Sequence, residues 1–159
     1  MANAGSTRIA GQTILAVDDE ADLLEAVRRV LSRFGHTVLT ATGPAEALDV
    51  CRHYVGRIDL LLTDVRMPGG SGAELADQAV ELRPELAVLY MSGLYDAADD
   101  RPGARRTVVA KPFTPTSLIE AVDSVMSTRS DYRPAHADHR PEPEYRPARA
   151  DYRPAHAAH

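Results

Sequence analysis

Between Ile58 and Asp64 the chain reads IDLLLTD, with Leu60, Leu61 and Leu62 in unbroken succession. A strand with one face in water alternates apolar and polar residues, whereas a continuous apolar run needs cover on both faces. TILAVDD (13–19), LAVLYMS (86–92) and TVVAK (107–111) read the same way, and HTVLTA (36–41) is short and rich in β-formers. Between these runs the apolar spacing becomes helical. In ADLLEAVRRVLSRFG (21–35), Leu23, Leu24, Val27, Val30, Leu31 and Phe34 fall on one stripe, and Gly35 supplies a stop. Gly43-Pro44 opens AEALDVCRHY with proline at a first-turn position. SGAELADQAVEL begins with Ser71 and carries Glu74 three residues on, a capping box, and halts before Pro84. TPTSLIEAVDSVM has Thr114 as cap, Pro115 in the first turn and a stripe of Leu118, Ile119, Val122, Val125 and Met126. Five buried strands alternating with about five helices predict an α/β fold, a doubly wound parallel sheet with helices on both faces.

Composition divides the 159 residues into three parts. Residues 1–10 read as a loose leader without the apolar core of a signal peptide. Residues 11–128 form the domain. Residues 129–159 read as a disordered tail: from Asp131 onward there is no Ile, Leu, Val, Met or Phe, and DYRPAHA, EYRPARA and DYRPAHA recur. Such a segment buries too little apolar surface to offset chain entropy. Tyr132, Tyr145 and Tyr152 each precede Arg-Pro and are candidate anchors for a partner. The net charge of −5 argues against non-specific binding to nucleic acid or an acidic membrane. No apolar run reaches the ~20 residues of a membrane helix. Cys51 is the only cysteine, which fits a cytoplasmic location and reads as a packing residue.

In open parallel sheets the ligand site lies off the carboxyl ends of the strands. Here the first strand ends at Asp18-Asp19, the third at Asp64, the fourth at Ser92 and the fifth at Lys111-Pro112. Three carboxylates, a hydroxyl and an ammonium are thus expected at one crevice. Neighbouring carboxylates disfavour one another's ionisation, and a hard divalent cation such as Mg²⁺ (or Mn²⁺) relieves this. A carboxylate beside such a cation, with a lysine and a hydroxyl nearby, suits attack on a phosphoryl group. Each residue also has a plainer reading: Asp18 and Asp19 as caps of the next helix, Asp64 and Ser92 as turn residues, Lys111 as a solvated surface charge.

The motifs AVDDE, LLTDVRMPGGSG, LYMSG and AKPF, taken in this order, resemble the receiver domain of two-component response regulators over residues 11–128. The resemblance implies a flavodoxin-like strand order 2-1-3-4-5. It implies that Asp64 is the phospho-acceptor, that Asp19 binds Mg²⁺ directly and Asp18 largely through water, and that the backbone carbonyl of Arg66 completes the protein's share of the metal sphere. Ser92 would bond the phosphoryl oxygen after transfer, Lys111 would bridge to it, and a cis bond is expected between Lys111 and Pro112. The donor would be a phosphohistidine on a sensor histidine kinase or a histidine phosphotransfer protein.

Three features depart from that pattern. Val108 stands where the family usually has Tyr or Phe, and a valine has no ring to turn inward. Only 18 residues separate Ser92 from Lys111, and Pro102-Gly103 lies among them, so the fourth helix is expected to be short. No DNA-reading output domain follows, so the expected output is through an unknown protein partner or a phosphorelay. Alternatives are a receiver cut from a hybrid histidine kinase, a phosphorylation-independent binding module, and a phosphohydrolase of the haloacid-dehalogenase type. The last wants Asp-x-Asp, and Arg66 stands where the second acid belongs.

Overall fold

The computed structural model describes residues 11–93 and 107–130. In chain order the elements are β1 (Thr13–Val17), α1 (Ala21–Arg33), β2 (Thr37–Ala41), α2 (Pro44–His53), β3 (Leu60–Asp64), β4 (Arg66–Met67), β5 (Gly70–Ser71), α3 (Gly72–Leu82), β6 (Ala87–Ser92), β7 (Val108–Ala110) and α4 (Pro115–Ser130). All pairings in the main sheet are parallel, and its order is β2-β1-β3-β6-β7. With the two-residue strands β4 and β5 set aside, this is the expected 2-1-3-4-5. Those two form a separate antiparallel pair in the turn after Asp64. The helix α4 runs to Ser130, two residues into the stretch that composition assigned to the tail. The expected leader, the short fourth helix and the repeats with Tyr132, Tyr145 and Tyr152 lie outside the described residues.

The continuous apolar runs form strands because the sheet is covered on both sides. Side chains alternate across a strand, so successive residues enter opposite layers. Ile14 and Ala16 of β1 and Leu60 and Leu62 of β3 pack with Leu24, Val27 and Leu31 of α1 and Leu118 and Val122 of α4. Leu15, Val17 and Leu61 pack the other way, against Val50 and Cys51 of α2 and Leu75, Ala76 and Ala79 of α3. Leu60, Leu61 and Leu62 are completely buried, each contributing roughly 1.5–3 kcal/mol. No helix among the described residues is long and apolar enough to cross a membrane.

Helix ends follow the local chemistry. Ser71 Oγ accepts from Glu74 N at 3.1 Å. Thr114 Oγ1 accepts from Ser117 N at 3.1 Å, and Ser117 Oγ accepts from Thr114 N at 2.9 Å, a reciprocal cap. Gly35, with φ of 88°, ends α1 in the left-handed region that glycine alone enters freely. A long-range device closes α2. The Arg83 guanidinium donates to the carbonyls of Cys51 (2.8 Å), Tyr54 (2.6 Å) and Gly56 (2.6 Å), tying the end of α2 and the following loop to the end of α3.

His36, at the entry to β2, is buried, and its Nδ1 has no hydrogen-bond partner among the described residues. Burial lowers its pKa below the ordinary 6.5, while Asp123 and Asp59 oppose the shift without cancelling it. The unfolded chain therefore takes up a proton near 6.5 that the folded chain refuses, so stability falls as pH drops through that value.

Two measurements check these points. Arg83→Lys keeps the charge but loses the fork, so urea unfolding is expected to show a loss of about 1–3 kcal/mol with an unchanged m-value. Unfolding free energies taken between pH 7.5 and pH 5.5, roughly one unit either side of the ordinary histidine value, are expected to fall for the wild type. The same series should be flatter for His36→Gln.

Candidate functional site

The sheet order reverses between β1 and β3, and the carboxyl ends of these two strands carry the acids. The chain leaves β1 with Asp18 N donating to Ala41 O of β2 at 3.2 Å. Asp18 is fully buried and Asp19 is exposed. Both Asp18 oxygens are engaged: Oδ1 accepts from Glu20 N at 2.9 Å, and Oδ2 accepts from Lys111 Nζ at 2.7 Å. Neither acid is the N-cap residue of α1, which is Glu20; Asp18 meets the helix start only through the Glu20 amide, and its other oxygen is held by Lys111.

Asp64 closes β3 opposite Met91 of β6. Its carboxylate is nearly buried, with Oδ2 3.3 Å from Lys111 Nζ and Oδ1 3.5 Å from Arg66 N. Lys111 reaches both acids from the end of β7, where its own backbone N donates to Ser92 O at 2.7 Å. The Lys111–Pro112 bond is cis, as expected. Ser92 ends β6 at the same edge, and its Oγ donates to Gly93 O at 3.1 Å. Arg66 lies two residues past Asp64 on β4, exposed and paired with Ser71. Val108 is 48% exposed on β7, beside buried Tyr90 in the register.

Carboxylate oxygens of Asp18, Asp19 and Asp64 lie within 4.8 Å of one another. Burial raises the Asp64 carboxyl above its ordinary 3.8; the Lys111 charge pulls against this and the Asp18 charge adds to it. Burial pulls Lys111 down, but its hydrogen bond to Asp18 and the charges of Asp18 and Asp64 outweigh it, so the ammonium sits above its ordinary 10.5. Three carboxylates and one ammonium leave a formal surplus of two negative charges. Oxygen donors at this spacing with that surplus suit a hard divalent cation.

The sequence reading did not single out Thr63 or Gly72. Thr63 Oγ1 donates to Asp64 O at 3.0 Å, and Gly72 N donates to Val65 O at 2.8 Å. The available signal was a glycine at the first position of a capped helix, where propensity disfavours it.

Comparison with known proteins gives a consistent result. The family model of the response regulator receiver domain matches residues 14–123. Over 123 residues the chain is 31% identical to the DNA-binding transcriptional regulator NtrC of Azospirillum brasilense, covering 74% of this chain and 25% of that one. It is 29% identical over 117 residues to the response regulator receiver protein CpdR of Brucella abortus, covering 71% of this chain and 95% of CpdR. The crystal structure of a response regulator receiver protein from Sinorhizobium medicae matches with a TM-score of 0.64 at 32% identity, covering 75% of this chain and 97% of that one. The chain spans about a quarter to a half of the length of several curated relatives it matches.

Asp19 is the exposed member of the acid cluster and has the most freedom to meet a cation. Asp19→Ala is expected to weaken Mg²⁺ at least about tenfold, ~1.4 kcal/mol, in a calorimetric titration.

Proposed function

This chain belongs to the family of response regulator receiver domains, and from that premise we propose that Asp64 is its phosphoryl acceptor. One observation carries the reading. Strand ends that are far apart in sequence bring Asp18, Asp19 and Asp64 within 4.8 Å of one another, with Lys111 Nζ bonded to Asp18 and 3.3 Å from Asp64. A carboxylate at the tip of a buried strand, facing an ammonium and two further acids, is poorly arranged for stability and well arranged for meeting a phosphoryl group with its counter-ion.

The chemistry is a displacement at phosphorus. An Asp64 carboxylate oxygen forms the new P–O bond as the bond from phosphorus to the donor's imidazole nitrogen breaks, and the imidazole leaves with the electron pair. The donor is a phosphohistidine of a sensor histidine kinase or a phosphotransfer protein. Lys111 neutralises charge on the phosphoryl oxygens, its pull shared with Asp18. Ser92 Oγ, turned onto Gly93 O in the unphosphorylated chain, re-aims to donate to a phosphoryl oxygen. Asp18, Asp19, Asp64 and the Arg66 backbone carbonyl would hold Mg²⁺, which supplies charge neutralisation at the phosphoryl oxygens when bound.

Acceptance rather than turnover fits the residue two after the acceptor. Arg66 stands where an aspartyl-phosphate hydrolase has its general acid, and a guanidinium does not give up its proton at neutral pH. In this reading the domain works in the cytoplasm and signals through protein contacts or as a relay intermediate. The relay to the output face does not use an aromatic rotamer at Val108.

Asp64→Asn nearly preserves shape and removes one charge from the cluster, so it is expected to remain folded and to take up no phosphoryl group. Intact mass after incubation with acetyl phosphate and Mg²⁺ checks this. A phospho-adduct of undiminished yield in the mutant would place the acceptor elsewhere.

A further inference from the structure

We propose that Gly72 is a positioning residue for the acceptor Asp64, a role that rests on the reading of Asp64 given above. Gly72 opens α3, and its φ lies outside the left-handed region, so its backbone is one that any residue adopts. The glycine is required for space, not for conformation. A Cβ built on it would collide with the backbone carbonyl oxygen of Asp64, would lie 3.1 Å from the Asp64 carbonyl carbon, and would lie 3.3 Å from the Thr63 methyl. By contrast Gly69, in the same turn, has nothing within 4 Å of its Cβ position.

Neither side of the contact can yield freely. The Asp64 carbonyl accepts from Thr63 Oγ1 at 3.0 Å, and the N–H of the same peptide, that of Val65, donates to Met91 O at 3.2 Å. On the facing side, Gly72 N donates to Val65 O at 2.8 Å, and Ser71 caps the helix through Glu74 N. The helix start is therefore pressed onto the peptide that carries the acceptor. This contact fixes where Asp64 leaves the sheet and where the peptide to Arg66 begins. A methyl group at residue 72 must move the stretch Asp64–Arg66 or tilt the start of α3. Either shift spreads the acid oxygens and displaces the Arg66 amide next to the Asp64 carboxylate. Misplacement by a fraction of an ångström is enough to slow a reaction that depends on in-line approach.

The test uses the full chain and three proteins: wild type, Gly72→Ala, and Val122→Ala, a core truncation on α4 away from the site. Thermal unfolding places the two variants on a common stability scale. Mg²⁺ affinity is measured by calorimetry and the rate of phosphoryl uptake by intact mass with acetyl phosphate. Gly72→Ala is expected to be folded, with Mg²⁺ bound at least tenfold more weakly and uptake slowed at least tenfold. Val122→Ala should lose stability while keeping both values within about twofold. A folded Gly72→Ala chain with wild-type affinity and rate would overturn the proposal. So would equal losses in Val122→Ala, which would make the effect one of stability. A Gly72→Ala chain that does not fold would show that the glycine holds the fold as a whole rather than aiming the carboxylate, and would overturn it too. If the wild type takes up no phosphoryl group, the acceptor reading fails instead, and Mg²⁺ affinity alone still decides whether Gly72 positions the acid cluster.

Discussion

Parallel pairing is the constraint on which everything else depends. In a sheet whose strands all run one way, every carboxyl end arrives at the same edge, and residues remote in sequence become neighbours without any local design. Asp18, Asp64, Ser92 and Lys111 meet because β1, β3, β6 and β7 stop in register, not because any turn brings them together. The same pairing demands cover on both faces, which is why β1 and β3 supply one core through Ile14, Leu60 and Leu62 and the other through Leu15 and Leu61. Site and core are two results of one arrangement.

The electrostatics of that edge run against stability. Asp18 is removed from water entirely and Asp64 almost so, and an isolated buried carboxylate costs several kcal/mol. Lys111 offsets part of this by bonding Asp18 and approaching Asp64, and the Glu20 amide satisfies the other Asp18 oxygen. Asp64 is left with the weakest partners of the buried pair, a 3.3 Å ion pair and a 3.5 Å amide contact. Of the two buried acids, the proposed acceptor is the one whose charge is least satisfied, and its raised pKa, driven first by burial, expresses the same fact.

Much of this was legible in the sequence. Continuous apolar runs announced the strands and their burial, the Ser71 and Thr114 caps announced two helix starts, and the acids and Lys111 could be placed at strand ends by topology alone. The strands came out shorter than the runs, yet Asp18 N and Lys111 N still donate to the neighbouring strands while their side chains meet at the site. What escaped the reading was tertiary. Arg83 looks like a surface cation at a helix end until three carbonyls from Cys51 to Gly56 are seen to converge on it. Gly72 looks like a poor helix residue until the Asp64 carbonyl is seen behind it. His36 gives no sign in its neighbours that its ring will be enclosed. Periodicity reports which face of an element is covered, but not which backbone atom lies against which.

The brevity of β7 has a consequence for the molecule in a crowded solution. Among the described residues it is the outer strand on one side of the sheet, with three residues and Val108 open to solvent. An outer strand is a template on which a foreign chain can grow an intermolecular sheet. A ladder this short lends an incoming strand only two or three hydrogen bonds, each worth about 0.5–1.5 kcal/mol net. Ordering the incoming backbone costs about 1–2 kcal/mol per residue. The template is too short to sustain growth, so a fold that concentrates apolar strands can carry an uncovered valine at its margin without inviting aggregation there.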